Sequence, residues 1–83
     1  MSSSANPIIN LKVVHQTTEV YFKIKRKSTL KRVLESFSRR LGQSVESLRF
    51  MIDGHRVTSK DTPEKLKMED GDVIEAVVFQ ASG

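Results

Sequence analysis

No cysteine occurs in the 83 residues. The chain therefore holds no disulfide, no thiol nucleophile and no zinc–thiolate cluster, and its composition fits a reducing compartment. Tryptophan is absent too, there is one tyrosine, and aromatic residues make up 6% of the chain. That is too few for the stacking set of a sequence-reading RNA-binding sheet. No apolar run approaches the roughly 20 residues a membrane-spanning helix needs. The opening Met1-Ser2-Ser3-Ser4-Ala5-Asn6-Pro7 lacks both the basic and the apolar region of a secretory signal. His15 and His55 are the only histidines, and no metal-ligand spacing, nucleophile–base pair or phosphate loop surrounds them. Asp53 beside His55 resembles a dyad, but Asp53-Gly54 is accounted for as a turn. These absences exclude an enzyme with its own active site and imply neither metal nor cofactor.

What is present suits one small globular domain: 37% hydrophobic and 29% charged residues. A chain of this length buries only about 60–65% of its unfolded surface, so the core is modest and leaves no room for a large internal cavity. The net charge of +4 is unevenly spread: residues 1–50 hold ten Lys and Arg against three Asp and Glu, residues 51–83 four against seven. Two faces of opposed sign, each suited to a different partner, follow from that asymmetry; an unevenly charged solvated surface fits it equally.

Residues 1–8 read as a mobile arm. Ile9, Leu11 and Val13 alternate with polar neighbours, as do Val20, Phe22 and Ile24 with Tyr21, Lys23 and Lys25: two strands joined by four or five polar residues from His15, hence a hairpin. Leu30, Val33, Leu34, Phe37 and Leu41 form the apolar stripe of a helix, with Ser28 or Thr29 as its cap and Gly42 as its stop. Leu48–Ile52 predicts a third strand, Asp53-Gly54 a tight turn into His55-Arg56-Val57, and Thr62-Pro63-Glu64 a short helical turn around Pro63–Leu66. Glu69-Asp70-Gly71-Asp72 is a turn before a last strand, Val73 to Phe79. Residues 80–83, Gln80-Ala81-Ser82-Gly83, form a thin small-residue tail. A hairpin, one main helix packed on one face, and further strands make an α+β protein with a mixed sheet, in the order of the β-grasp fold.

The residues themselves carry a resemblance. Ile9-Asn10-Leu11-Lys12-Val13-Val14, Glu19-Val20-Tyr21-Phe22-Lys23-Ile24-Lys25-Arg26, Ser47-Leu48-Arg49-Phe50, Asp53-Gly54-His55-Arg56, Thr62-Pro63-Glu64-Lys65-Leu66 and Met68-Glu69-Asp70-Gly71-Asp72-Val73-Ile74-Glu75 together resemble the small ubiquitin-like modifier (SUMO) family, from about Ile9 to Gly83. The resemblance implies a ubiquitin-like β-grasp domain over 9–79 and a conjugation tail over 80–83. It also implies a protein tag of the nucleus and cytoplasm rather than an enzyme. Its partners would be an activating enzyme, a conjugating enzyme, ligases and a processing or deconjugating protease, with no membrane and no specific nucleic acid.

Strand and helix side by side would frame a groove with an apolar floor and a basic rim, able to take an extended peptide along a strand edge. The candidates are Val20, Tyr21, Phe22, Lys23, Ile24, Lys25, Arg32, Val33, Phe37 and Arg40; the family's members bind short hydrophobic, acid-flanked interaction motifs there. Periodicity alone favours a plain core face with solvated lysines; the resemblance reverses that preference. Lys23, Lys25, Arg26, Lys27, Lys31, Arg32, Arg39 and Arg40 also suit phosphates, which predicts weak, salt-sensitive nucleic-acid binding without sequence readout. Glu69, Asp70 and Asp72 resemble the family's conjugating-enzyme surface. Leu66-Lys67-Met68-Glu69 matches the hydrophobic-Lys-any-acidic pattern, making Lys67 a candidate modified lysine, whereas the N-terminal arm has no lysine for chain growth. Family members end in two glycines after processing; here Ser82 and Gly83 take those places. Ser82 adds a Cβ and a hydroxyl where glycine is usual, and Phe79 replaces a polar residue. Gly83 would carry the conjugated carboxylate, and a non-conjugated binding module is the alternative that Ser82 keeps open.

Overall fold

The computed structural model describes residues 7–79. Strand β1 (Ile8–His15) and strand β2 (Thr18–Lys25) pair antiparallel, with Ile9, Leu11 and Val13 opposite Ile24, Phe22 and Val20. Alternation puts these six on the face that the rest of the chain covers. The hairpin is tighter than expected. His15 pairs with Thr18, leaving only Gln16-Thr17 to reverse the chain, and Gln16 takes a left-handed φ of 55° to do so.

Helix α1 (Lys31–Leu41) covers that face with Val33, Leu34 and Phe37. Its end follows expectation: Gly42 at φ 71° lets the Gln43 N–H reach the Ser38 carbonyl at 2.9 Å. Its start does not. Neither Ser28 nor Thr29 occupies the cap; Leu30 does, without a side-chain cap bond. Leu30 is fully buried and its N–H donates to the Asp61 carbonyl at 2.8 Å, so tertiary anchoring sets the first turn instead of a hydroxyl.

A single 3-10 turn at Val45–Ser47, unsignalled by any apolar periodicity, leads into β3 (Leu48–Ile52). Asp53 and Gly54, at φ 50° and 80°, reverse the chain into β4 (His55–Val57), as the Asp-Gly pair predicts. The expected turn near Pro63 closes without extending into a helix. Leu66 N–H reaches the Thr62 carbonyl at 3.1 Å, and Thr62 Oγ1 accepts the Lys65 N–H at 3.0 Å. Strand β5 (Asp72–Val78) then enters the middle of the sheet, parallel to β1 and antiparallel to β3. The result is a mixed five-stranded sheet in the order β2-β1-β5-β3-β4 with one helix across it, the β-grasp fold.

Between sheet and helix, Phe37 meets Phe50 edge-on, ring centroids 6.3 Å apart at 74°. Met68 and Pro63 close the core from the loop side, and Arg26 ties that loop to the hairpin through a 2.7 Å bond from Nη1 to the Met68 carbonyl. Phe37→Ala is expected to cost about 3–5 kcal/mol in urea unfolding; a loss below about 1 kcal/mol would contradict its central place.

Candidate functional site

β2 is an edge strand, so one side of its backbone carries no ladder partner. The chain leaves β2 at Lys25 and enters α1 at Lys31, a connection short enough to lay the helix beside that edge. Between them runs a groove of about 840 Å³. Phe22, Lys23, Ile24 and Lys25 line its strand side; Lys31, Arg32, Val33, Glu35 and Ser36 line its helix side; Ser28, Thr29 and Ile8 complete it. Ile24 and Val33 are buried and Phe22 half-buried, while Lys23, Lys25, Lys31 and Arg32 are exposed. The groove is thus an apolar trough under a cationic rim, with Glu35 the one acid among these lining residues.

Six of the ten residues expected here line the groove: Phe22, Lys23, Ile24, Lys25, Arg32 and Val33. The other four lie elsewhere. Val20 packs half-buried against the core. Tyr21 belongs to the outer face by strand alternation and is 70% exposed. Phe37, one turn beyond Val33, is wholly inside the core. Arg40 is exposed on the last turn of α1, away from the lining. Glu35 and Ser36 were within reach of sequence reasoning, standing three and four residues after Arg32 on a helix. Ile8 was not, because its place follows from pairing with Lys25 across the hairpin.

The acidic turn carries internal bonds that its sequence did not announce. Asp70 Oδ1 accepts the Asn10 backbone N–H at 2.6 Å and the Asn10 Nδ2–H at 2.9 Å, and Asp72 Oδ2 accepts the Glu69 N–H at 2.8 Å. Two of the three carboxylates therefore fasten the turn to itself and to β1, while Glu69 is exposed. Lys67 is exposed as well, but at φ 56°, and Met68 beside it is buried. The Leu66–Glu69 pattern is consequently folded into the domain and does not present an extended strand. Among the described residues, no cluster of His, Asp and Glu is arranged to hold a metal, and no helix is long and apolar enough to cross a membrane.

Ser82 and Gly83 lie outside the described residues. The last described residue, Phe79, is held in two ways: its N–H donates to the Ser47 carbonyl at 2.6 Å, and the Arg49 guanidinium lies 4.3 Å from its ring centroid. Arg49 Nε is buried without a hydrogen-bond partner, so the ring supplies a cation–π contact beside a group that lacks one.

A β-grasp sheet with an open edge strand beside its helix places the chain in the ubiquitin-like class. The family model described as ubiquitin-2 like Rad60 SUMO-like matches residues 9–78. Over 76 residues, 90% of the chain, it is 49% identical to ubiquitin-like protein pmt3/smt3 of Schizosaccharomyces pombe and spans 65% of that protein's length. Over the same extent it is 43% identical to the small ubiquitin-related modifier of Caenorhabditis elegans, spanning 84% of it. The solution structure of SUMO from Trypanosoma brucei superposes with a TM-score of 0.77 at 36% identity, covering all of this chain and 82% of that one. A ubiquitin from Caldiarchaeum subterraneum gives the same TM-score at 16% identity over 93% of this chain and all of its own, a likeness of fold. The chain belongs to the SUMO-like family of ubiquitin-like proteins.

The internal bonds of the acidic turn yield a stability prediction. Asp70→Ala is expected to lower unfolding free energy by about 1–2 kcal/mol, through the lost charge-assisted bonds to Asn10. Glu69→Ala should stay within about 0.5 kcal/mol of the parent. Equal effects in thermal or urea unfolding would contradict the division of roles.

Proposed function

We propose that the chain is a protein modifier, joined through the Gly83 carboxylate to lysines of other proteins in the nucleus and cytoplasm, and read there through the β2–α1 groove. Membership of the SUMO-like family over residues 9–78 is the observation that carries the reading. The chemistry belongs to other proteins. An activating enzyme would adenylate the carboxylate with ATP, releasing pyrophosphate, and take it onto a cysteine as a thioester, releasing AMP. A conjugating enzyme, helped by ligases, would pass it to a lysine amine, forming an isopeptide bond and freeing the thiol; a protease would cleave that bond. This chain supplies the carboxylate and surfaces for docking, the exposed Glu69 among them.

In the groove, an extended peptide would add to the free edge of β2 by main-chain hydrogen bonds, seat aliphatic side chains over Phe22, Ile24 and Val33, and place its acids against Lys23, Lys25, Lys31 and Arg32. The basic rim adds speed and specificity more than affinity; the apolar floor holds the peptide. A second reading, a binding module that uses the groove without being conjugated, is favoured by Ser82.

Two experiments separate these readings. With ATP and the family's activating and conjugating enzymes, the modifier reading expects a thioester on the parent chain, formed faster after Ser82→Gly. A thioester seen only with Ser82→Gly would leave the binding module. In titrations with a hydrophobic, acid-flanked peptide, Phe22→Ala and Lys25→Glu are each expected to weaken binding about tenfold. Unchanged affinity in both would sink the groove assignment.

A further inference from the structure

The sheet has a second face, opposite α1, where Lys23 and Lys25 of the groove's rim stand beside Tyr21 and Lys12, which the groove reading does not use. At its β2 edge, Tyr21 is the largest exposed side chain, 70% accessible. Lys12 pairs with it across the hairpin and holds its Nζ 5.7 Å from the ring centroid. Lys23 and Lys25 follow at alternate positions on the same strand face, both exposed. Glu19, ion-paired to Lys12 at 3.8 Å, is the nearby acid. A flat exposed ring is therefore flanked by three cations on two adjacent strands. The strand rise sets Lys23 and Lys25 about 7 Å apart.

We propose that this patch binds single-stranded nucleic acid without regard to sequence. One base stacks on Tyr21 while neighbouring phosphates lie against Lys12, Lys23 and Lys25. The ligand must offer flat uncharged faces and negative charge at short regular intervals, which a nucleotide strand does. An acidic polypeptide matches the lysines but has no repeated face for the ring. The centre of the patch is Tyr21 and lysines and not the broad apolar core of a protein interface; exposed apolar surface is confined to its margins, Ile8 beside Lys25 and Val73 beside Lys12. Nothing in it reads base edges or a 2′-hydroxyl, so deoxy- and ribo-strands bind alike. The inference does not depend on conjugation, and Tyr21 and Lys12 distinguish it from the groove, with which it shares Lys23 and Lys25.

Tyr21 is the sole tyrosine and tryptophan is absent, so intrinsic emission reports on this one ring. The 83-residue chain is titrated at low salt with oligo(dT) and with oligo(U). Both are expected to quench the emission to saturation, with log Kd rising against log salt at a slope of about 2, for three phosphates. By anisotropy of labelled oligonucleotides, Tyr21→Ala should weaken binding about tenfold while Tyr21→Phe retains it. Lys12→Gln should lower the salt slope by about 0.7. The proposal is overturned if emission is unquenched, if Tyr21→Ala binds like the parent, or if polyglutamate of equal charge binds as tightly as the oligonucleotides, which would make the occupant an acidic polypeptide.

Discussion

The parallel pairing of β1 with β5 is the constraint on which the rest of the molecule depends. The strand nearest the N-terminus and the last strand lie side by side at the centre of the sheet, Val13 beside Ile74, both fully buried. A parallel pair cannot be closed by a short turn, so the helix and the β3–β4 hairpin must intervene in the chain. Once β5 occupies one side of β1, the β1–β2 hairpin can extend only outwards. β2 becomes an edge, and the helix that follows it crosses the face beside that edge. The groove is therefore a consequence of topology before it is a matter of side chains.

The same arrangement divides the charge. The cation-rich first half supplies β2 and the first turn of α1, where Lys23, Lys25, Lys31 and Arg32 crowd the open edge. The acid-rich second half supplies the turn before β5, where Asp70 and Asp72 accept backbone N–H groups. Like charges at the edge discourage the pairing of two copies through β2, a common defence of exposed strands, and attract acidic ligands to the same place. At the far end of β5, the Ser47 carbonyl and the Arg49 guanidinium hold Phe79 against the domain, which fixes where the described chain hands over to its C-terminal residues.

Local signals carried most of the fold. The stripe Leu30, Val33, Leu34, Phe37, Leu41 gives the helix, Gly42 its stop, and Asp53-Gly54 the β3–β4 turn, because each rests on a few consecutive residues. What sequence could not supply was distance. The helix cap falls to Leu30 because Asp61, far along the chain, takes its N–H. The bonds between Asp70 and Asn10 join residues sixty positions apart, so a turn that reads as a partner surface is also a structural clasp. The groove was legible in part for the same reason. Strand alternation separates Phe22 and Ile24 from Tyr21, but only the packed helix decides that Val33 faces the groove and Phe37 the core.

In the proposed reading, β2 is the strand that receives a ligand peptide. Amide hydrogen exchange with and without a saturating hydrophobic, acid-flanked peptide tests this residue by residue. New protection is predicted at alternate amides along Phe22–Lys25, with chemical-shift changes in Lys31–Ser36, and none along β3 or β4. Protection centred on β3 and β4, or none along β2, would contradict it.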